Sequence, residues 1–255
     1  MASSSCRSAP VFPLRVSVPT RYASVVTYSL IAANVAVFLL QVSLPDDAQQ
    51  ALVYTYGLVP ARYTDPGWAS RVGLEAGNYW PFLTNTFMHG GWLHLILNMW
   101  TLYLFGPGIE DRLGRVRYLA FYLLCGVAAS AAHAAMNSGS RLPAIGASGA
   151  IAGVLGAHLR LFPFSNVLIL VPILFIPFFF PLPTILYAGL WFVMQVVQGV
   201  GSTLMPQAGG IAWWAHIGGF LAGLLLVRFL CSDRTYRPYY RDEGVRSVMS
   251  RRTSE

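Results

Sequence analysis

The chain has 255 residues, of which 55% are hydrophobic and only 11% charged, with a formal net charge of +7. So few charges do not cover a water-facing surface. A mean hydropathy of +0.54, with several apolar runs near the ~20 residues a helix needs to cross a bilayer, points to a membrane protein and excludes disordered, fibrous and disulfide-scaffold classes together.

The positive charge does not point to nucleic acid as a partner. All 17 basic residues are arginine, and Arg234, Arg237, Arg241, Arg246, Arg251 and Arg252 follow the last apolar run, as in a cytosolic anchor tail. Cys6, Cys125 and Cys231 stand at unrelated spacings and supply neither a metal motif nor a disulfide framework. Residues 1–23 open Ser-rich and acid-free, and the apolar run that follows is too long for a signal peptide. They read as a short cytosolic leader, with organelle targeting as the alternative.

In chain order the hydropathy predicts six spans, over about residues 24–43, 92–109, 118–136, 148–162, 184–200 and 211–230. The expected fold is an all-α polytopic six-helix bundle over residues 24–230, with an Arg-rich tail over 231–255. A long outer loop, residues 44–91, carries Asp46, Asp47, Asp65, Glu75, Trp68, Tyr79 and Trp80 and is long enough for interfacial structure of its own. Residues 166–180 are apolar but hold Pro172 and Pro177, with Pro181 and Pro183 behind them. A seventh span there would place the Arg-rich tail outside, and prolines remove donors that hydrocarbon cannot replace. The segment therefore reads as an interfacial or protein-packed excursion. With six spans and a cytosolic start, fourteen arginines fall inside and three (Arg62, Arg71, Arg141) outside, so both termini are cytosolic. The second, fourth and sixth spans then begin at the outer face.

Polar groups within spans need partners, and ionisable ones are candidates for function. His94 and Asn98 open the second span on one helix face, Ser148 opens the fourth, and His216 lies near the start of the sixth. Ser148 sits in Gly146-Ala147-Ser148-Gly149, where small neighbours permit a tight turn and the first N–H groups of a helix can receive an oxyanion. Taken alone, that motif favours a plain N-cap serine. Gly149, Gly153 and Gly156 line one span and Gly219 and Gly223 the other, on the face of His216; two such faces pack closely and bring His216 towards Ser148. A neutral imidazole can take the proton of a hydroxyl nucleophile. No carboxylate lies between Asp111 and Asp233, so the pair is expected as a dyad. His89, His94 and His216 could also be three metal ligands, but no carboxylate or thiol accompanies them. His133 and His158 have no partner motif and read as packing residues.

Four stretches, in this order, resemble the rhomboid family of intramembrane serine proteases: Phe87-Met88-His89-Gly90-Gly91-Trp92-Leu93-His94-Leu95-Ile96-Leu97-Asn98-Met99, Glu110-Asp111-Arg112-Leu113-Gly114, Gly146-Ala147-Ser148-Gly149 and Ala215-His216-Ile217-Gly218-Gly219. The resemblance covers about residues 27–230. It implies Ser148 as nucleophile, His216 as general base and acid, and an oxyanion hole of the Ser148 N–H with the side chains of His94, Asn98 and His89. Glu110 and Gly114 match a structural motif between the second and third spans. Many family members carry Trp-Arg in the first loop, where this chain has Trp80-Pro81.

The expected activity is endopeptidase cleavage of transmembrane segments near the outer leaflet, without metal or organic cofactor. A substrate helix must unwind locally to expose its carbonyl, which favours helix-breaking or small residues, and the resemblance implies a small side chain before the cut. The partners are transmembrane substrates and the lipid bilayer. The rival readings are a non-catalytic relative that binds and retains membrane clients, and a transporter, for which the acid-free spans supply no carboxylate relay. The absence of lysine fits a GC-rich genome and a bacterial cytoplasmic membrane, with an organelle membrane as the alternative.

Overall fold

A computed structural model describes residues 12–173, 176–204 and 211–231; residues 1–11, with Cys6, and the Arg-rich tail from 232 on lie outside them. Strand β1 (Phe12–Val16) precedes the first long helix, α1 (Val25–Ser43). The loop after it holds four short helices, α2 (Asp46–Tyr56), α3 (Ala61–Thr64), α4 (Pro66–Arg71) and α5 (Pro81–Thr84). Then come α6 (Trp92–Leu113), α7 (Arg115–Met136), α8 (Ser148–Leu161), the strands β2 (Asn166–Ile173) and β3 (Ile176–Pro183), α9 (Thr184–Leu204) and α10 (Trp213–Leu230).

The fold is that of a mostly helical polytopic membrane protein. A helix stands at each of the six predicted span positions, and four of them, α1, α7, α9 and α10, are long and apolar enough to cross a membrane. Helix α6 has the length but ends in Glu110-Asp111-Arg112. Helix α8, with 14 residues, is about 21 Å long, short of a hydrocarbon core of about 30 Å. It is instead the central helix, buried over most of its length and packed against α6, α7, α9 and α10.

Small residues set the α8–α10 approach. A Cβ on Gly219 would collide with the carbonyl oxygen of Gly149, and one on Gly223 with that of Gly153. The two backbones touch, as the glycine faces predict, and α7 closes on the same line through Ala129 and Cys125.

The far end of α6 is held by its carboxylates. Ser24, at the N-cap of α1, makes no side-chain cap, and Glu110 takes that place from another helix. Glu110 Oε1 accepts from Val26 N (2.8 Å), and Oε2 accepts from Thr27 N and Thr27 Oγ1 (both 2.7 Å). Asp111 Oδ1 accepts from the N–H groups of Arg21 and Tyr22 at 3.0 and 2.9 Å. The free N–H groups at the positive start of α1 thus meet Glu110 in a buried place, and Asp111 holds the chain just before the helix. Gly114 joins α6 to α7 in a single residue at φ +78°, a conformation that suits glycine.

The first loop has its own brace. Arg62 is buried and donates from Nη1 to Thr55 O (3.1 Å) and from Nη2 to Tyr54 O (3.2 Å), capping the last turn of α2. Trp80 is exposed and Pro81 starts α5. The bracing arginine of this loop therefore comes from residue 62, not from the position after Trp80.

The proline-rich segment 166–180 lies in an antiparallel hairpin, β2–β3, and β1 adds a third strand on the β2 side. Val167 and Ile169 are buried in the same core as Leu102, Phe105 and Phe162, so the excursion is packed on protein. Residues 12–16, read from the sequence as part of a leader, supply β1.

Candidate active site

The N-terminal ends of α6, α8 and α10 converge. Ser148, first residue of α8, is half-buried, and its Oγ lies 2.8 Å from His216 Nε2 on the first turn of α10. On the other side of the ring, Nδ1 is 2.7 Å from Oε1 of Gln195 in α9, a residue only 3% exposed. An amide oxygen only accepts, so Nδ1 carries the proton and the Nε2 lone pair faces the Ser148 hydroxyl. Trp191 and Trp213 flank the imidazole at centroid distances of 5.9 and 6.2 Å.

The turn before Ser148 is fixed by backbone bonds. Gly146 N donates to Asn85 O at 2.9 Å, and Leu58 and Ala144 exchange N–H···O bonds of 3.0 and 2.8 Å. Gly146 adopts φ +135°, and a Cβ there would lie 2.9 Å from His94 Nε2 and 3.6 Å from Ser148 Oγ. The glycine thus serves two ends: it permits the backbone conformation and leaves room for the His94 ring next to Ser148.

His94 Nδ1 accepts from Gly90 N at 3.4 Å, which leaves the proton on Nε2, the nitrogen beside Gly146. Asn98, one turn further along the same face, is buried, and its Nδ2 has no hydrogen-bond partner among the described residues. His94 Nε2 and the first N–H groups of α8 thus lie on the Gly146 side of Ser148. His89 joins the group through His94, ring centroids 5.1 Å apart. Its backbone is clamped by Gln41 of α1, which donates to His89 O at 3.2 Å and accepts from His89 N at 3.1 Å. Burial, helped by the neighbouring His94, pushes the His89 imidazole down to about 4, so it is neutral near pH 7. The backbone of Phe87, a hydrogen-bonding neighbour of the ring, opposes that shift in part.

Beside Ser148 a small pocket opens between Gly126, Ala129, Gly149 and Ala215, with Ser130 and His133 in its lining. His133 therefore has a place near the site that its sequence context does not indicate. His158 does not: it is buried between Phe105 and Phe162. Gln195 and Gln41 are the residues that sequence reasoning missed. A polar side chain inside an apolar helix needs a partner, and that signal marks both.

A serine, an oriented imidazole and further polar side chains thus lie together at one end of a helical bundle in a membrane protein. A family profile described as Rhomboid domain matches residues 76–233. The chain belongs to the rhomboid family. It is similar to RHOMBOID-like protein 5 of Arabidopsis thaliana, 30% identical over 153 residues, which covers 60% of this chain and 44% of that protein. It is similar to Rhomboid protein 1, mitochondrial, of Saccharomyces cerevisiae, 29% identical over 204 residues, 78% of this chain and 51% of that one. It is also similar to the human Presenilin-associated rhomboid-like protein, mitochondrial, 31% identical over 208 residues, 78% of this chain and 47% of that one. The chain thus spans about half the length of these relatives.

Proposed function

We propose that the chain is an intramembrane serine endopeptidase that cleaves transmembrane segments of other membrane proteins. The observation that carries this reading is the continuous line Ser148 Oγ, His216 Nε2, His216 Nδ1, Gln195 Oε1, with spacings of 2.8 and 2.7 Å across three helices. In this reading Ser148 is the nucleophile and His216 the general base. Gln195 is a positioning residue that holds the tautomer, in the place where soluble hydrolases often use a carboxylate.

The chemistry follows from the geometry. As Ser148 Oγ attacks the scissile carbonyl carbon, its proton passes to His216 Nε2. The carbonyl oxygen becomes an oxyanion, held by the Ser148 N–H, His94 Nε2–H and Asn98 Nδ2–H, with His89 supporting His94. His216 gives the proton to the departing amine, the C–N bond breaks, and an acyl-serine remains. Water, deprotonated by His216, attacks that ester, and the proton returns to Ser148 as the acid product leaves. The small-residue pocket beside Ser148 supports a substrate with a small side chain before the cut.

The same reading gives six spans over residues 24–230, both termini cytosolic, and the site towards the outer leaflet of a bacterial cytoplasmic membrane. Cleavage of a transmembrane reporter bearing helix-breaking residues, in liposomes, tests it. Wild type should cut within or beside the reporter's span, while Ser148→Ala and His216→Ala should not. Cutting by Ser148→Ala at the wild-type rate would remove Ser148 as nucleophile. A wild type that binds reporter without cutting it would favour client retention, and loss of activity to chelators would reopen the three-histidine metal reading.

A further inference from the structure

The β1–β2–β3 sheet does not hang below the bundle; it climbs along it. Val18 lies against Gly108 and Phe162, towards the C-terminal end of α6. Pro13, five residues earlier, accepts a 2.8 Å hydrogen bond from Trp100 Nε1. Trp100 is eight residues nearer the start of α6, a rise of about 12 Å, which five extended residues can cover. Pro13 pairs with Ile169, so β2 and β3 are carried to the same level, and the strand ends Ile173 and Ile176 lie about 13 Å beyond it along the strands. Ser165 and Thr184, both buried, tie the base of the hairpin together through a 2.8 Å hydroxyl contact.

The outer edge of the sheet has an unusual chemistry. Ser17 N donates to Asn166 O, so the even-numbered residues of β2 turn their backbone groups to β1 and the odd-numbered ones turn theirs to β3. Through the pairs Asn166 with Pro183 and Val167 with Leu182, the even residues of β3 face β2, and residues 177, 179, 181 and 183 face outwards. Three of those four are proline. The free edge therefore keeps one backbone donor, the N–H of Phe179, where an ordinary strand would expose four. Proline on an edge blocks strand pairing in water; in hydrocarbon it takes away the unpaired donors, while the four outward carbonyls remain. The side chains favour the second setting. Phe178 and Phe180 on one face of β3 and Phe179 on the other are 48%, 41% and 57% exposed, so both faces of the strand are apolar and uncovered. Arg15 is the one charged residue in the three strands, and it lies on the base side of Pro13, where a long side chain can reach headgroups.

We infer that this sheet is a re-entrant element within the hydrocarbon layer, packed on α6 through β1 and on α9 through β2 and β3, and that the phenylalanine side chains on the two faces of β3 contact lipid acyl chains. The inference rests on α6 and α9 being membrane spans and is independent of the catalytic roles.

The test uses the full chain in lipid nanodiscs, with Cys6→Ser, Cys125→Ala and Cys231→Ser as background. A nitroxide is attached at Phe179→Cys, at Val193→Cys on the exposed face of α9, and at Ser138→Cys in the loop after α7. Collisions with oxygen and with a water-soluble nickel chelate are then compared. The Phe179 label should follow Val193, favouring oxygen several-fold over the chelate, with Ser138 showing the reverse. If Val193 favours oxygen and Phe179 favours the chelate, the sheet is in water and the inference is overturned. If Val193 itself favours the chelate, the span reading of α9 falls, and the inference with it. Phe178→Cys repeats the measurement on the opposite face should the first variant fold poorly. Loss of oxygen access at Phe179 when an uncleaved transmembrane reporter is added to the Ser148→Ala protein would give the edge to substrate rather than lipid.

Discussion

The two ends of α6 are both polar, and they are built on opposite plans. At the C-terminal end, Glu110 accepts three hydrogen bonds from α1 and Asp111 accepts two from the chain before it. At the N-terminal end, the amide nitrogen of the buried Asn98 has no hydrogen-bond partner among the described residues. A buried polar group costs free energy unless it is bonded. Where the bonds are made within the fold, the residues hold helices together. Where donors are left open around a serine, their partner is something that arrives, and the proposed arrival is an oxyanion.

The comparison breaks first at Ser148. Ser148→Ala should lower reporter cleavage on the order of 10⁴-fold or more while leaving thermal unfolding in detergent close to wild type. At the other end the effects exchange places. Glu110→Ala strands two backbone N–H groups and a hydroxyl of α1, a cost of about 3–4 kcal/mol seen in thermal or denaturant unfolding, with Glu110→Gln intermediate because it keeps one acceptor. Asn98→Ala should cut kcat about 10²–10³-fold with little change in KM or unfolding temperature, since its amide is engaged only when the oxyanion forms. An Asn98→Ala protein that unfolds early and keeps its kcat would make that end structural too.

What could be read in the chain follows the same division. Ser148, His216, Glu110 and the glycine faces stand out because each rests on local spacing: a GxSG turn, a histidine and glycines at helical intervals, an acid at a helix end. The α8–α10 approach through Gly149, Gly153, Gly219 and Gly223 follows from those intervals alone. Gln195 does not stand out in this way. Gln195 and Gln198 both interrupt the apolar run of α9, and only the rotation of α9 against α10 separates the buried one from the exposed one. The sheet was hidden for a related reason. Pro172, Pro177, Pro181 and Pro183 read as breakers in one dimension, and their common parity on an edge is visible only once the register with β2 is known. Strand β1 pairs with residues some 150 positions away, a distance no local pattern reports.

Gln195 sharpens the comparison because its amide oxygen is bonded within the fold and yet it sits beside His216. Gln195→Leu should free the imidazole to adopt the other tautomer or rotate, lowering kcat about 10- to 100-fold, the worth of one or two buried hydrogen bonds. KM should change little. Gln195→Glu, which keeps an acceptor opposite Nδ1, should recover most of the rate. Equal loss in both variants, accompanied by a lower unfolding temperature, would show that the glutamine serves packing alone.

His89 gives the smallest effect at neutral pH and the one with a pH signature. Its imidazole is held down to about 4 from an ordinary 6.5, first by burial and then by His94, so the folded protein binds its proton less readily than the unfolded chain. The sign follows from that difference. Above pH 6.5 both states are neutral at this residue and nothing is lost. As the pH falls from 6.5 to about 4 the unfolded chain takes up the proton alone, and stability declines through that window. The decline amounts to about 3 kcal/mol. Other groups titrate over the same range, so the measurement is the difference between wild type and His89→Asn in unfolding temperature against pH. The two curves should run parallel above pH 6.5 and converge or cross below it, because the variant has no proton to gain. Parallel curves throughout would mean that His89 meets water or a bonded partner in the folded state, and the open-donor character of the N-terminal end of α6 would then rest on Asn98 and His94 alone.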